Sequence, residues 1–176
     1  MIAAPTLKND QSRLMALAGY QILKTKIERQ FEEITDMAAR VCQTKIAAVS
    51  LVGNDTQWFK FAKGINIQET KRDISFCGHA INNPNETMIV KDAKQDIRFH
   101  DNPLVKNDPK VRFYAGVPLV DGKGHVLGTL CVIDPQSKNI TKSQVTALES
   151  LAEQTMRLIS SKAWQISYDQ EKRDHS

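Results

Sequence analysis

The stretch Lys110-Val-Arg-Phe-Tyr-Ala-Gly-Val-Pro-Leu-Val-Asp-Gly-Lys-Gly-His-Val-Leu-Gly-Thr-Leu-Cys-Val-Ile-Asp134 decides how this chain folds. An apolar run broken by Pro118 leads into Asp121-Gly122-Lys123-Gly124, and a second apolar run goes from His125 to Ile133. Two β-rich runs around a turn of this composition predict a hairpin. Glycine supplies the positive φ that a tight turn needs, while Val, Leu, Thr and Ile fill the pleats.

Outward from the hairpin, Ile46-Ala-Ala-Val-Ser-Leu-Val52 is apolar on both faces, which predicts a central strand covered on both sides. Gly53-Asn54-Asp55 reads as a turn, and Gln57–Lys63 as the return strand, with Trp58 on one face and Phe59 and Phe61 assigned to the other. Residues 9–23 carry Leu14, Leu17, Ala18 and Ile22 at helical spacing. Thr25-Lys26-Ile27-Glu28 has the form of a capping box opening a second helix, whose inner face is Phe31, Ile34, Ala38 and Val41. A second capping box, Thr141 to Gln144, starts a long helix carrying Val145, Leu148, Leu151, Ala152, Leu158 and Ile159. Trp164, Ile166 and Tyr168 continue its apolar content before a polar tail from Gln170 to Ser176. Residues 64–110 are the least regular, with a helical turn expected at Phe76–Asn82, a strand at Thr87–Val90 and a long loop over Lys91–Lys110.

Locally linked strand pairs with flanking helices give an α+β class. A chain of 176 residues with 41% hydrophobic and 25% charged residues suits one globular domain. Its longest apolar stretch is too short to cross a bilayer, and the N-terminus has no secretory pattern, so a cytoplasmic protein without membrane contact is expected. The net charge of +4 comes from scattered cations such as Lys60, Lys63, Lys91 and Lys94, which argues against a nucleic-acid partner. Cys42, Cys77 and Cys131 form no C-x-x-C pair and fit a reducing compartment. His100 and His125 have no partner at ligand spacing, so no metal is expected. Gly122, Gly124 and Gly128 read as turn and strand residues because no helix follows them as a phosphate loop requires.

The ordered motifs Ala48–Val52, Gln57–Lys60, Arg72–Cys77, Ser75-Phe76-Cys77-Gly78-His79-Ala80-Ile81, Asp92–Phe99, Arg98–Val105, Phe113–Gly116 and Ile133-Asp134-Pro135 resemble the GAF domains at the front of bacterial sensor histidine kinases and diguanylate cyclases. The resemblance runs from Arg13 to Ile159. It implies a six-stranded antiparallel sheet, with helices on one face and a loop-covered pocket on the other. It also implies a helical bundle between two protomers, formed by the first and last helices. On this reading residues 1–25 are an N-terminal packing helix, 26–165 the domain with its C-terminal helix, and 166–176 a polar tail.

Cyclic-nucleotide-binding members carry a signature that is missing here. Bilin-binding members place His directly after the attachment Cys, whereas Gly78 intervenes between Cys77 and His79. No kinase, cyclase or phosphotransfer motif is present, so no residue is assigned a catalytic role and no cofactor is identified.

Cys77, His79, Asp92, Asp96, Arg98, Phe99, Phe113 and Tyr114 are the candidate ligand-binding residues. Cys77 at the start of a helical turn, with an imidazolium beside it, would hold a stabilised thiolate; alternatively Cys77 is a small apolar wall residue and His79 a satisfied hydrogen-bonder. Arg98 is suited to a ligand carboxylate or phosphate, or to pairing with Asp96 or Asp92. Phe99, Phe113, Tyr114 and Trp58 stack on a planar ligand or simply fill the space. The reading is a non-catalytic sensory domain for a small molecule, signalling through a homodimer or an output protein. Its rivals are a thiol-dependent redox enzyme using Cys77, similar to methionine-sulfoxide reductases, and a ligand-free dimerisation module.

Overall fold

The computed structural model describes residues 1–24, 26 and 28–175. Strands β1 (Ile46–Val52), β2 (Thr56–Lys63), β3 (Glu69–Lys71), β4 (Met88–Val90), β5 (Phe113–Val120) and β6 (Val126–Asp134) pair antiparallel in the order β3-β2-β1-β6-β5-β4. Helices α1 (Asp10–Tyr20), α2 (Arg29–Cys42) and α5 (Lys142–Asp174) pack on one face. The other face is covered by α3 (Phe76–Ala80), α4 (Pro103–Lys106) and the connections around them. This is the expected six-stranded α+β arrangement.

Alternation along each strand sorts the side chains into two cores. Ala47, Val49 and Leu51 of β1 join the helix-side core, and Ile46, Ala48 and Val52 join the loop-side core. All seven β1 residues are buried, as an apolar run covered on both faces should be. Phe31 of α2 stacks on Phe61 of β2 with ring centroids 4.1 Å apart. The sequence expectation that Phe59 and Phe61 share a face fails. In the β1–β2 pairing Ser50 opposes Phe59 and Val49 opposes Phe61, which leaves Lys60 as the extra residue of a bulge. The bulge turns Phe59 to the loop side and Phe61 to the helix side.

The expected box at Thr141 forms: Thr141 Oγ1 accepts from the Gln144 amide, and Gln144 Oε1 accepts from the Thr141 amide. The Gln144 side chain also donates to the carbonyl of Val41 at 3.0 Å, joining the start of α5 to the end of α2. Of the box expected at residues 25–28, Thr25 and Ile27 lie outside the described residues. α2 starts at Arg29 with no side-chain cap, because the Glu28 carboxylate pairs with Lys162 Nζ at 2.7 Å instead. The N-terminal helix is shorter than expected, ending at Tyr20 before a 3-10 turn at Ile22–Lys24. α5 is longer, running through the expected polar tail to Asp174. The expected long loop over 91–110 is broken by a 3-10 turn at Ala93–Gln95 and by α4, which Asn102 caps by accepting from the Leu104 amide.

A buried charge cluster that the sequence reading missed fixes α1 to the sheet. Arg13 is fully buried; its Nη1 donates to the carbonyls of Val52 at 2.6 Å and Val126 at 3.2 Å, and its Nε donates to Asp10. Asp10 also takes two bonds from Arg72, at 2.7 and 3.0 Å, and Arg72 reaches the carbonyl of Gly53 as well. Burial pushes the Asp10 carboxyl up, but hydrogen bonds from Arg72 and Arg13, together with their charges, hold it below the usual carboxylate range. Removing the carboxylate leaves two buried guanidiniums facing each other. Asp10→Ala should therefore cost about 3–5 kcal/mol, as for breaking other buried ion pairs. Because the folded pKa of Asp10 lies below its unfolded value, this contribution is present at neutral pH and is lost as the pH falls through the folded pKa. Urea unfolding of both proteins at pH 7 and in acid checks this: the difference between them should shrink as the carboxyl protonates.

Candidate functional site

On the loop side of the sheet a polar cluster sits in an otherwise apolar core. Ser50 on β1, Gln57 on β2, Tyr114 on β5, and Thr129 and Cys131 on β6 all surround Cys77 of α3, and every one is buried. Thr129 and Cys131 are two apart on one strand and so share a face. Tyr114 Oη donates to Cys77 Sγ at 3.2 Å and Thr129 Oγ1 donates at 3.1 Å. The Cys131 thiol neighbours that of Cys77, close enough for each to perturb the ionisation of the other. Ser50 Oγ donates to Gln57 Oε1 at 3.0 Å, and the Gln57 amide passes on to Thr70 at the edge of the sheet. Gly116 opposes Cys131 in the ladder, and a Cβ there would overlap the Tyr114 hydroxyl. Glycine at 116 is therefore what lets the tyrosine ring lie along β5 and reach the sulfur.

Burial raises the pKa of the Cys77 thiol, but its polar neighbours, Cys131 first and then Ser50, Thr129 and Tyr114, outweigh it and bring it down to about 7. The opposite shift falls on its neighbours. Cys131 is pushed well up by its bond to Cys77, by burial and by the Cys77 charge; Tyr114 is raised by burial first and then by the same charge. Cys42, buried on α2 in the other core, is raised to about 11 by burial alone.

α3 is held over this cluster from outside. Ser75 caps it, accepting from the Gly78 amide at 3.0 Å and donating to the Arg72 carbonyl at 2.6 Å. Residues 1–5 cross its outer surface. The amide of Ile2 donates to Arg98, that of Ala4 donates to Asp73, and buried Ala4 rests where a Cβ on Gly78 would have to be. His79 points outward, away from the sulfur. Its Nε2–H donates to the Ile2 carbonyl at 3.0 Å, and its ring meets Phe99 edge-on at 4.8 Å. Burial lowers its pKa, the Ile2 carbonyl and Asp96 oppose that, and Arg98 adds to it. The imidazole is thus neutral at pH 7 and gives no support to a Cys77 thiolate.

The remaining candidates separate. Arg98 is committed to Asp96 in a two-pronged pair at 2.9 and 2.7 Å and lies over the Phe99 ring at 4.9 Å. Asp92 accepts from the Lys94 amide and caps a turn. Phe113 does not share the site with Tyr114: adjacent strand residues face opposite ways, and Phe113 belongs to the helix-side core. Trp58 is also on the helix side. Phe76 stacks on Phe99 at 4.0 Å and lies 5.3 Å from Tyr114, and together they fill most of the space beneath the cover. What remains is a cavity of about 10 Å³ bounded by Gln57, Phe76, Cys77 and Tyr114, with half-buried Ile65 and Pro109 at its outer side. Ser50, Gln57, Thr129 and Cys131 were not among the sequence candidates. Their signal is a polar side chain at an inward strand position.

The GAF domain model matches residues 26–159. A cyclic di-GMP phosphodiesterase of Pseudomonas aeruginosa is 37% identical over 160 residues, covering 90% of this chain; the chain spans 27% of that relative's length. Among solved structures, the GAF domain of the blue-light-absorbing form of Thermosynechococcus elongatus PixJ superposes with a TM-score of 0.66, at 11% identity, over 98% of this chain and 99% of its own. The GAF domain of an Acinetobacter phosphoenolpyruvate-protein phosphotransferase gives 0.62, at 16% identity, over 92% and 99%. No described helix is long and apolar enough to cross a membrane.

Thiolate absorbance in a pH titration should rise with a midpoint near the value of about 7 given by the hydrogen bonds to Cys77, and this step should vanish in Cys77→Ser. Cys131→Ala removes the strongest lowering partner and should move the midpoint up. Since the folded pKa is depressed, the stability contributed by Cys77 is complete above its unfolded value and is lost as the pH falls through about 7. A single transition well above pH 9, unchanged by Cys131→Ala, would contradict the arrangement.

Proposed function

This chain belongs to the GAF domain family, and on that premise we propose that it is a non-catalytic sensory and regulatory unit of a bacterial cytoplasm. A small molecule is read at the polar cluster beneath α3, and the result passes through the terminal helices to a second copy or an output unit. The observation that carries this reading is the contrast between the two cores. The helix-side core is apolar apart from Thr35 and Thr155, which bond within their own helices, and the Asp10–Arg13 pair of α1, whereas the loop-side core gathers hydroxyl, amide and thiol groups around one sulfur, under a cover built from short elements. Buried polar groups cost stability unless they are hydrogen-bonded, and a network satisfied in this way specifies one arrangement where apolar packing would not.

The closed cavity is far below the several hundred Å³ of a metabolite site. A metabolite is therefore accommodated only when the cover lifts, and occupancy shifts the closed–open equilibrium because only the open form binds. The cover cannot lift alone. Arg72, just before α3, holds Asp10 of α1, and α1 packs on α5. Opening thus loads the helix face directly. α5 extends about 22 Å past Ile159, its last buried residue, at 1.5 Å per residue. On that extension Trp164 stacks on Tyr168, and both are exposed. Met37 of α2 and Met15 of α1, each beside α5 in a separate groove, add exposed apolar area. A second copy of the chain is the occupant that covers these surfaces symmetrically. The Pseudomonas relative, named for a phosphodiesterase activity and matched over 27% of its length, supports a regulatory domain attached to an output unit.

Native mass spectrometry of freshly purified protein tests both halves of the proposal. A dimer carrying extra mass that is lost on denaturation is the expected result. A bare monomer, with no saturable thermal shift across a metabolite panel, would contradict it and favour a self-filled domain; a ligand at a hundred times its Kd should add about 2.7 kcal/mol of stability.

A further inference from the structure

Cys77 and Cys131 are the only pair among the described cysteines in mutual contact, and their surroundings are unequal. Cys77 Sγ lines the small cavity; Cys131 does not, and meets the sulfur from elsewhere. A cavity of about 10 Å³ has room for roughly one water-sized molecule. Its wall supplies what a small oxidant needs: Cys77, Tyr114 with its hydroxyl on the Cys77 sulfur, and the Gln57 side chain, while the Thr129 hydroxyl holds the same sulfur from outside the cavity. We propose that hydrogen peroxide, arriving between Ile65 and Pro109, oxidises Cys77, and that Cys131 then closes an internal Cys77–Cys131 disulfide. This rests on the sensory reading above and names the signal class as a small peroxide.

The steps balance. The Cys77 sulfur attacks one peroxide oxygen, so an S–O bond forms and the O–O bond breaks. The departing hydroxide takes the proton released by Cys77 and leaves as water. Sulfur is oxidised to the sulfenic acid and peroxide is reduced by two electrons. The Cys131 sulfur then attacks Cys77; an S–S bond forms, the S–O bond breaks, and hydroxide leaves with the Cys131 proton as a second water. Ionisation of Cys77 near neutrality favours the first step. Cys131 is held protonated by its bond to Cys77, by burial and by the Cys77 charge, and oxidation of Cys77 removes the first and last of these. The resolving thiol is thereby released by the step that requires it. Cys42 has neither polar partners to lower its pKa nor a thiol neighbour, and should stay reduced.

An S–S bond is about 2.05 Å long, shorter than any hydrogen-bonded contact to this sulfur by about 1 Å. Oxidation therefore draws α3 toward β6 and strips Tyr114 and Thr129 of their shared acceptor.

The test is exposure of the intact protein to hydrogen peroxide, followed by denaturation in maleimide and mass analysis. The expected result is one maleimide adduct in place of three, with the peptides spanning 73–91 and 124–138 cross-linked and released by dithiothreitol. Cys42→Ser should give the same cross-link with no remaining adduct, and Tyr114→Phe should slow its formation several-fold. In Cys131→Ser, dimedone should label Cys77. If that variant fails to fold, the wild-type and Cys42→Ser cross-links decide alone. Three intact thiols at peroxide levels that oxidise a free peptide thiol, or a bridge to Cys42, or a bridge between chains, would overturn the proposal. Ligand occupancy by native mass is scored independently, so a negative here removes peroxide as the signal without removing the sensory role.

Discussion

The carboxylate of Asp10, shared by Arg13 and Arg72, is the interaction on which the arrangement of this domain depends. Arg13 belongs to the helix that packs on α5, and Arg72 to the turn that leads into α3, so one acidic group ties the two faces of the sheet together at the ends of β1 and β6. Both guanidiniums are nearly inaccessible, and the peptide carbonyls of Val52, Gly53 and Val126 take up part of their hydrogen-bonding capacity. Desolvating charges on this scale does not raise stability over a well-packed apolar alternative. What the cluster provides is a fixed geometric relation between parts of the chain that otherwise meet only through the sheet and through residues 1–5.

That relation gives the Cys77 cluster its reach. Beneath α3 the hydrogen bonds converge on one sulfur, and above it residues 1–5 and His79 close the surface. Any event that moves α3, whether occupancy by a ligand or shortening of the Cys77–Cys131 contact, is felt at Ser75 and Arg72, since the Ser75 hydroxyl bonds both the Gly78 amide and the Arg72 carbonyl. From Arg72 the next rigid connection is Asp10. The cover and α1 are thus parts of one mechanical unit. α5, against which α1 packs, is the next element in contact with that unit.

Strands β1, β2, β5 and β6 were legible because they are long, apolar and punctuated by turn residues, whereas the three polar residues of β3 (Glu69–Lys71) carry no such pattern. β1 and the β5–β6 hairpin are read directly from composition and period, as is the Thr141 capping box. Neighbour relations across long separations were not legible. Arg72 and Asp10 are 62 positions apart, and neither residue type signals the other. The bulge at Lys60 reverses the facing of Phe59 and Phe61 without any glycine to mark it. Two misreadings were avoidable. Phe113 and Tyr114 are adjacent on a strand and so cannot line one pocket. Ser50 and Thr129 are polar residues within apolar strands, which is itself a signal of a buried polar site. Of the two roles open to His79, that of a satisfied hydrogen-bonder is the one the structure supports, since residues two apart in a helix turn away from each other and its ring meets the Ile2 carbonyl.

Amide hydrogen exchange, read residue by residue, tests the coupling most directly. If the cover and α1 open together, residues 2–5, the α3 segment and the α1 amides share one opening free energy, and Asp10→Asn lowers protection in all three together, on top of the loss of global stability that β1 and β6 report. Independent opening of α3, with α1 protection unaffected by loss of the Asp10 charge, would contradict the account.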